Sequence, residues 1–168
     1  EYERGWALLY RLIRLNGSLS GHERNVFYRG QGDGTFADLS AVVGLDFPED
    51  GRAFVTFDFD RDGDVDILLN NRNSPQLRLL RNDLPTPNHS IVFHLEGTRS
   101  NRDAIGARVV LETASGRSLT RSVNSGSGFR SQPSRAVHFG LGKEEKIRKL
   151  TVFWPSGAVE EHSGVQAG

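Results

Sequence analysis

Alternating apolar and polar side chains along the second half of the chain predict a series of short β-strands. Such runs, separated by Gly, Ser and Pro, are typical of strands that bury one face. The predicted strands are His89–Glu96, Ala107–Thr113, Ser118–Asn124, Arg135–Leu141, Lys149–Trp154 and Ala158–Glu161. Within the first of them, Ile91, Phe93 and Leu95 face one side. Strands at this spacing predict an antiparallel β-sandwich, with a barrel as the alternative, rather than a parallel α/β sheet.

The N-terminal segment follows a helical period instead. Trp6, Leu9 and Ile13 recur three and four residues apart, with arginines between them, which predicts an amphipathic helix over Tyr2–Leu15. Asn16-Gly17 supplies a C-terminal cap. We expect this helix to cover an apolar core, and the alternative is a basic helix lying on a membrane surface.

The middle of the chain also predicts strands, joined by turns rich in Gly and Pro. The predicted strands are Asn25–Arg29, Arg52–Phe57, Val65–Asn70 and Leu77–Arg81. The glycine-rich run at 30–36 is interpreted as a hairpin turn, because a phosphate-binding glycine loop, the alternative, should open a helix. Residues 82–88 resemble a linker. The sequence therefore predicts a mainly β protein in three parts: a helix and loop at 1–24, a sheet at 25–84 and a sandwich at 85–168.

Composition excludes several classes of function. The chain has 168 residues, 21 Lys and Arg against 21 Asp and Glu, and no Cys. A neutral chain argues against nucleic-acid binding by bulk charge, and the lack of Cys excludes disulfides and thiol chemistry. No apolar run reaches the roughly 18 residues of a membrane span. Because the chain starts at Glu1 and lacks Met, we expect it to be a processed piece of a longer protein.

Negative charge is concentrated in one stretch. Residues 46–66 hold seven Asp, one Glu and two Arg, a net charge of −6, and five of these aspartates fall within the nine residues 58–66. Like charges this close repel by about 1 kcal/mol or more even in water. Such a cluster indicates either a bound cation or a fully solvated acidic turn.

The spacing of these aspartates favours Ca²⁺, which takes six to eight oxygen ligands from a curled loop. The predicted ligands are the carboxylates of Asp58, Asp60, Asp62 and Asp66 and the backbone carbonyl of Asp64. Gly63 permits the sharp bend. An EF-hand is excluded because its twelfth position would be Leu69 and because the flanking residues are strand-like. Mg²⁺ is a weaker alternative, since it retains more of its waters.

No arrangement of residues predicts catalysis. The five histidines are scattered and lack metal-ligand spacing, so His89 and His94 are interpreted as solvent-facing rather than as zinc ligands. The loop Ser125–Gln132 lacks a nucleophile motif and is interpreted as a turn, with an anion or sugar site beside Arg130 and Arg135 as the alternative. Asn101 and Asp103 are predicted to pin the turn before Gly106 through side-chain-to-backbone bonds.

Two ordered sets of motifs resemble known families. Residues 25–83 resemble an FG-GAP/VCBS repeat, through Gly32–Ser40 and the acidic loop within Phe57–Asn70. Residues 88–161 resemble the ASPIC/UnbV domain. The matching segments there are Gly97–Ala107, Ser125–Gln132, His138–Gly142 and Trp154–Gly157. The resemblance implies one blade of a Ca²⁺-stabilised β-propeller, a secreted or cell-surface location, and no established chemistry for the ASPIC/UnbV part.

The chain departs from the repeat family in having one acidic loop, whereas propellers have about 4–8 blades. A lone blade leaves apolar faces uncovered, and we expect the helix and the sandwich to cover them, with copies of the chain as the alternative. The predicted function is an extracellular calcium-binding β module for adhesion or surface assembly, without catalysis. The alternatives are a self-assembling subunit of a fibre or filament, and a carbohydrate-active or carbohydrate-binding protein. The expected partners are a protein or glycan at the cell surface, or other copies of the chain.

Overall fold

The computed structural model describes residues 2–15, 17 and 23–167, and the predicted cap residue Asn16 lies outside them. One helix and eleven strands form in this part of the chain. They are α1 Tyr2–Arg14, β1 Tyr28–Gly30, β2 Phe36–Asp38, β3 Gly51–Phe57, β4 Asp66–Asn71, β5 Leu77–Leu80, β6 His89–Phe93, β7 Arg108–Thr113, β8 Ser118–Ser122, β9 Val137–Gly142, β10 Ile147–Phe153 and β11 Val159–Ser163. The predicted mainly β fold with a short N-terminal helix is confirmed.

The chain divides into two compact units, each built from two segments. The first unit comprises Glu1–Phe54 and Leu68–Leu79, and the second comprises Val55–Ile67 and Leu80–Gly168. The acidic loop falls within the second unit together with the C-terminal strands. The three-part division at 1–24, 25–84 and 85–168 stays a prediction.

Two sheets enclose the core of the second unit. One has the strand order β11-β10-β7-β8, and the other pairs β6 with β9 in antiparallel fashion. Alternate residues of β7 and β9 point inward, as the period of two along these strands requires. The fully buried side chains include Val109, Leu111, Phe139, Leu141 and Val152. The predicted inward face of β6 is confirmed, because Ile91, Phe93 and Leu95 pack against this core.

The first unit contains the predicted glycine-rich hairpin. β1 and β2 pair antiparallel, with Gly30 opposite Phe36, so the run between them is a turn between strands. The strand is shorter than the predicted Asn25–Arg29. It begins at Tyr28 because Asn25 N–H donates to the Phe47 carbonyl and Phe27 N–H to the Ser40 hydroxyl oxygen, rather than to a neighbouring strand.

Helix α1 forms where the periodicity predicts it, but it buries none of its residues. Trp6 forms ring contacts with its helix neighbours, at ring-centre distances of 6.1 Å to Tyr2 and 6.2 Å to Tyr10, and it remains 46% exposed. The expectation that this helix covers an apolar core of the described chain is therefore wrong. Periodicity defines an apolar face, but it does not identify what packs against that face.

Candidate metal centre

The acidic loop connects β3, which ends at Phe57, to β4, which begins at Asp66. The flanking elements are strands, so the exclusion of an EF-hand is confirmed. Two residues with positive φ curl the loop: Arg61 at 65° and Gly63 at 91°. The left-handed conformation carries no steric cost for glycine, which accounts for Gly63 at the sharpest bend.

The loop brings carboxylates together in two overlapping groups. Asp58, Asp60 and Asp66 offer oxygens that all lie within 4.8 Å of one another, and Asp60, Asp62 and Asp83 do the same. Four of the five predicted ligand residues therefore meet through their side chains. Asp64, which was predicted to contribute only its carbonyl, belongs to neither group, and its N–H donates to Oδ1 of Asp62 at 2.8 Å.

Asp66 anchors the site. Its side chain is almost completely buried, with Oδ2 accepting from Phe59 N–H at 2.7 Å and Oδ1 from Asn82 N–H at 2.8 Å. The first bond closes the loop, and the second ties it to the segment after β5. Each carboxylate oxygen has two lone pairs, so these bonds leave acceptor capacity for a cation.

Asp58 has an acceptor that nothing in the described structure satisfies. Its Oδ2 accepts from Gly63 N–H at 3.1 Å, whereas its Oδ1 is buried and has no hydrogen-bond partner. A buried polar atom without a partner costs about 1–3 kcal/mol, and more when the group is charged. A cation held with Asp60 and Asp66 would satisfy this oxygen, so the residues present fit a metal ion.

Arg81 supplies the counter-charge beside the second group. Its guanidinium lies 2.8 Å from Asp83 and 3.6 Å from Asp60. The hydrogen bond to Asp83 and then that carboxylate's charge raise the pKa of Arg81, and the charges of Asp60 and Asp62 add to the effect. Neither Arg81 nor Asp83 is predicted from the sequence as part of the site, because the pairing of a third strand brings them to the loop.

The loop is hydrogen-bonded to the sandwich within the second unit. The Gly63 carbonyl accepts from Ser90 Oγ at 2.7 Å, and His138 Nε2 lies 2.8 Å from the same oxygen. Ser90 lies on β6 and His138 on β9, which pair with each other. Sequence analysis missed these two residues, and only the resemblance segment His138–Gly142 singled out one of them.

The other candidate residues serve turns and ion pairs. The Asn101 side chain accepts from Ile105 N–H and donates to the Ile105 carbonyl, both at 2.8 Å, which confirms the predicted pinning of this turn. Asp103 instead pairs with Arg135 at 2.8 Å. His94 is exposed, and His89 is half-buried with its Nε2 3.7 Å from Glu145.

The loop Ser125–Gln132 is a turn, as predicted. Ser127 N–H donates to the Ser131 carbonyl at 3.1 Å, and Gly128 adopts a φ of 75° at the bend. The Arg130 guanidinium lies over the Phe129 ring, 5.4 Å from its centre.

Comparisons with known proteins define the class. Residues 14–69 match the FG-GAP-like repeat family, and residues 97–168 match the family described as ASPIC and UnbV. The chain therefore joins an FG-GAP-like repeat to an ASPIC/UnbV domain, as the motifs indicated.

Among individual proteins, the chain is similar to cartilage acidic protein 1. It is 30% identical to the Homo sapiens protein over 152 residues, which cover 89% of this chain and 23% of the relative. The Mus musculus protein is 31% identical over 158 residues, covering 93% of this chain and 24% of the relative. The Xenopus tropicalis protein is 33% identical over 111 residues, or 65% of this chain and 17% of the relative. The chain spans about a quarter or less of the curated relatives that it matches.

The helix of the described structure is too short and too polar to cross a membrane.

Proposed function

We propose that this chain is an extracellular Ca²⁺-binding β module that acts in adhesion or surface assembly and not in catalysis. The observation that carries the proposal is the buried, unpartnered Oδ1 of Asp58, in one group with the carboxylates of Asp60 and Asp66. In an ordinary solvated acidic turn all the carboxylates would face water, whereas here a carboxylate oxygen of Asp58 is buried.

The donor set favours Ca²⁺ over Mg²⁺. Five oxygen donors from one short loop suit an ion that accepts six to eight ligands in a flexible arrangement, whereas Mg²⁺ prefers to keep several waters. The residues that would hold the ion are Asp58, Asp60, Asp62 and Asp66 through carboxylates and Asp64 through its carbonyl. Asp83 would act through its bond with Arg81, adjusting the charge at the edge of the site.

The proposed role of the ion is to stabilise the folded module. A ligand that binds only the native state adds about 2.7 kcal/mol of stability at a hundredfold excess over its Kd. Extracellular Ca²⁺ modules have dissociation constants of about 10⁻⁴–10⁻³ M, so the module would hold its ion outside the cell. The chain has no Cys, so this ion would take the place of disulfides. The relatives' name, which refers to cartilage, supports an extracellular location.

The proposed partners are another protein, a glycan, or further copies of the chain. Exposed apolar side chains in the first unit support a protein contact, since Phe36 is 69% exposed, Phe54 60% and Leu77 61%. Light scattering over a concentration series tests self-association, and a strictly monomeric species at high concentration would argue against the fibre alternative.

Calorimetric titration with Ca²⁺ and with Mg²⁺ tests the proposal. We expect one Ca²⁺ per chain with weaker Mg²⁺ binding, and at least about a tenfold loss of Ca²⁺ affinity in Asp60→Asn, since an ionised ligand contributes more than 1.4 kcal/mol. Asp33→Asn removes the same charge from the exposed hairpin turn and serves as the control. No heat of binding together with no metal by elemental analysis would refute the site.

A further inference from the structure

The second unit contains a cleft of about 800 Å³ beside the acidic loop. Its walls come from the end of β3, from the acidic loop, from β6, β8 and β9, and from the segment that precedes β9. We propose that this cleft binds a saccharide that carries carboxylate or sulfate groups. The proposal goes beyond calcium binding, because the charges that it uses belong to arginine side chains.

Positive charge dominates the lining of the cleft. Arg61, Arg121 and Arg135 line it together with two histidines, whereas Asp58 is the one acidic side chain among the lining residues. Arg135 is already paired with Asp103, but neither Arg61 nor Arg121 forms an ion pair within the described part of the chain. Two arginines without an ion pair in the described residues therefore line one cavity, and the Arg121 guanidinium lies over the Phe139 ring, 5.9 Å from its centre.

A guanidinium group matches an oxyanion in geometry as well as in charge. It presents five N–H donors in a planar fork, which can bind a carboxylate or a sulfate through two parallel hydrogen bonds. Arg121 donates one N–H to the Thr120 carbonyl at 3.2 Å, so most of its donors remain available.

A charge on an edge strand has an ordinary explanation, which is protection against aggregation. Arg121 lies on β8, an edge strand of its sheet, and this explanation would account for it alone. It does not account for Arg61, which belongs to the acidic loop and lines the same cleft from a different element. The convergence of two arginines from separate elements is what points to a ligand.

The remaining lining favours a sugar over an acidic peptide. Thr56, Asn124, Ser127 and Ser134 also line the cleft, and hydroxyl and amide groups can hydrogen-bond to sugar hydroxyls. Phe57 is the one aromatic side chain in the lining apart from the histidines. A peptide that docks tightly needs deep apolar pockets for large anchor residues, and the apolar residues of this lining are Val, Ala and Pro apart from Phe57.

Binding of dextran sulfate oligosaccharides to the whole chain, at saturating Ca²⁺ and low salt, tests the proposal. We expect binding of the sulfated oligosaccharide and none of unsulfated dextran. Affinity should fall about tenfold or more in Arg121→Gln and in Arg61→Gln, the loss expected when a charge-assisted contact is removed. Arg99→Gln is the control, because Arg99 is exposed, lies outside the cleft and carries the same charge.

Three outcomes would overturn the proposal: no binding of the sulfated oligosaccharide, equal losses in Arg121→Gln and Arg99→Gln, or tighter binding of polyglutamate than of dextran sulfate. Calorimetric Ca²⁺ titration of Arg121→Gln separates this proposal from the calcium site, since Arg121 contacts none of the acidic loop carboxylates. Normal Ca²⁺ affinity with lost saccharide binding would support the cleft. A chain that binds dextran sulfate but no Ca²⁺ would refute the metal site alone.

Discussion

The substitution Asp58→Asn is expected to change protein stability in opposite directions with and without Ca²⁺. In chelator, the Asn side-chain oxygen can still accept the Gly63 N–H that now bonds to Oδ2. Its NH₂ group then occupies the place of the unpartnered Oδ1, in a group whose carboxylate oxygens lie within 4.8 Å of one another. The substitution thus replaces the repulsion between carboxylates with a side-chain N–H donor beside them.

The size of the stability change in the calcium-free protein follows from Coulomb's law. At 4.8 Å, the distance that encloses the group, two charges repel by roughly 1 kcal/mol in water and about 3.5 kcal/mol at an effective dielectric constant of 20. Asp60 is exposed and lies 3.6 Å from Arg81, so the lower figure applies to the repulsion between Asp58 and Asp60. The charge of buried Asp66 is already partly neutralised by the two backbone N–H groups that it accepts, and an amide oxygen accepts the Gly63 N–H more weakly than a carboxylate does, so these effects offset the Asp66 share. We expect Asp58→Asn to stabilise the calcium-free protein by about 1 kcal/mol, which raises Tm by about 2–4 °C for a chain of this size.

With Ca²⁺ at a hundredfold excess, the unmodified protein gains about 2.7 kcal/mol from binding, and the variant loses most of that gain. Subtracting the 1 kcal/mol of relieved repulsion leaves the variant less stable by roughly 1.5 kcal/mol, or about 3–6 °C lower in Tm. The variant therefore has a higher Tm than the unmodified protein in chelator and a lower Tm in Ca²⁺.

Thermal unfolding in EGTA and in Ca²⁺, followed by circular dichroism, checks this exchange. Asp64→Asn is the matched control, because it removes the same charge from the same loop but leaves the backbone carbonyl in place. We expect it to shift both curves by similar small amounts. If Asp58→Asn lowered Tm equally in both conditions, the loop would be a solvated turn with a structural aspartate, and the calcium assignment would be wrong.

The remaining predictions concern the anchor, the bend and the hairpin. Asp66→Asn should destabilise the protein by about 2 kcal/mol in chelator in denaturant titrations, because both oxygens accept backbone N–H groups and an amide cannot replace both. The loss should be larger in Ca²⁺, because Asp66 is also a proposed ligand of the ion; unchanged stability in chelator would contradict the anchoring role. Gly63→Ala should lower the free energy of unfolding more than Gly157→Ala does. Both glycines have a positive φ, but only a Cβ at Gly63 would meet a side chain, Ser90 Oγ at 2.9 Å. Equal losses of stability in the two variants would contradict this prediction. A serine hydroxyl, and then its backbone N–H, lower the pKa of Asp38 below its ordinary 3.8. This lowered pKa stabilises the folded state above pH 3.8, and the stabilisation is lost as pH falls through the folded-state pKa. The unmodified protein should therefore be more stable than Asp38→Asn above about pH 4, and the difference in their free energies of unfolding should shrink as the pH is lowered further. A difference that stays constant down to pH 2 would contradict this prediction.

Local patterns predicted the elements and the principal carboxylates well. The alternation in residues 107–113 places Val109 and Leu111 inside because a strand repeats every two residues, whatever lies beyond it. The aspartate spacing at 58–66 likewise depends on one loop. Strand ends were less accurate, as at residues 25–27, because distant hydrogen bonds to Phe47 and Ser40 decide them.

The residues that support the site could not be read from local patterns. Asp83 and Arg81 reach the loop only because β5 pairs beside it, and Ser90 and His138 only because β6 and β9 lie against the Gly63 carbonyl. Each of these contacts joins residues far apart in the chain, and the periods of 2 and 3.6 carry no information about such pairs.

The bonds to the Gly63 carbonyl determine what a bound ion would stabilise. Were the loop attached only to its own hairpin, Ca²⁺ would order a few residues between β3 and β4. Instead, Ser90 and His138 extend that order to the paired strands β6 and β9, whose Phe93 and Phe139 rings meet edge to face at 6.0 Å in the core. Loss of the ion should therefore loosen both strands, because the bend that presents Gly63 to them also carries the carboxylates.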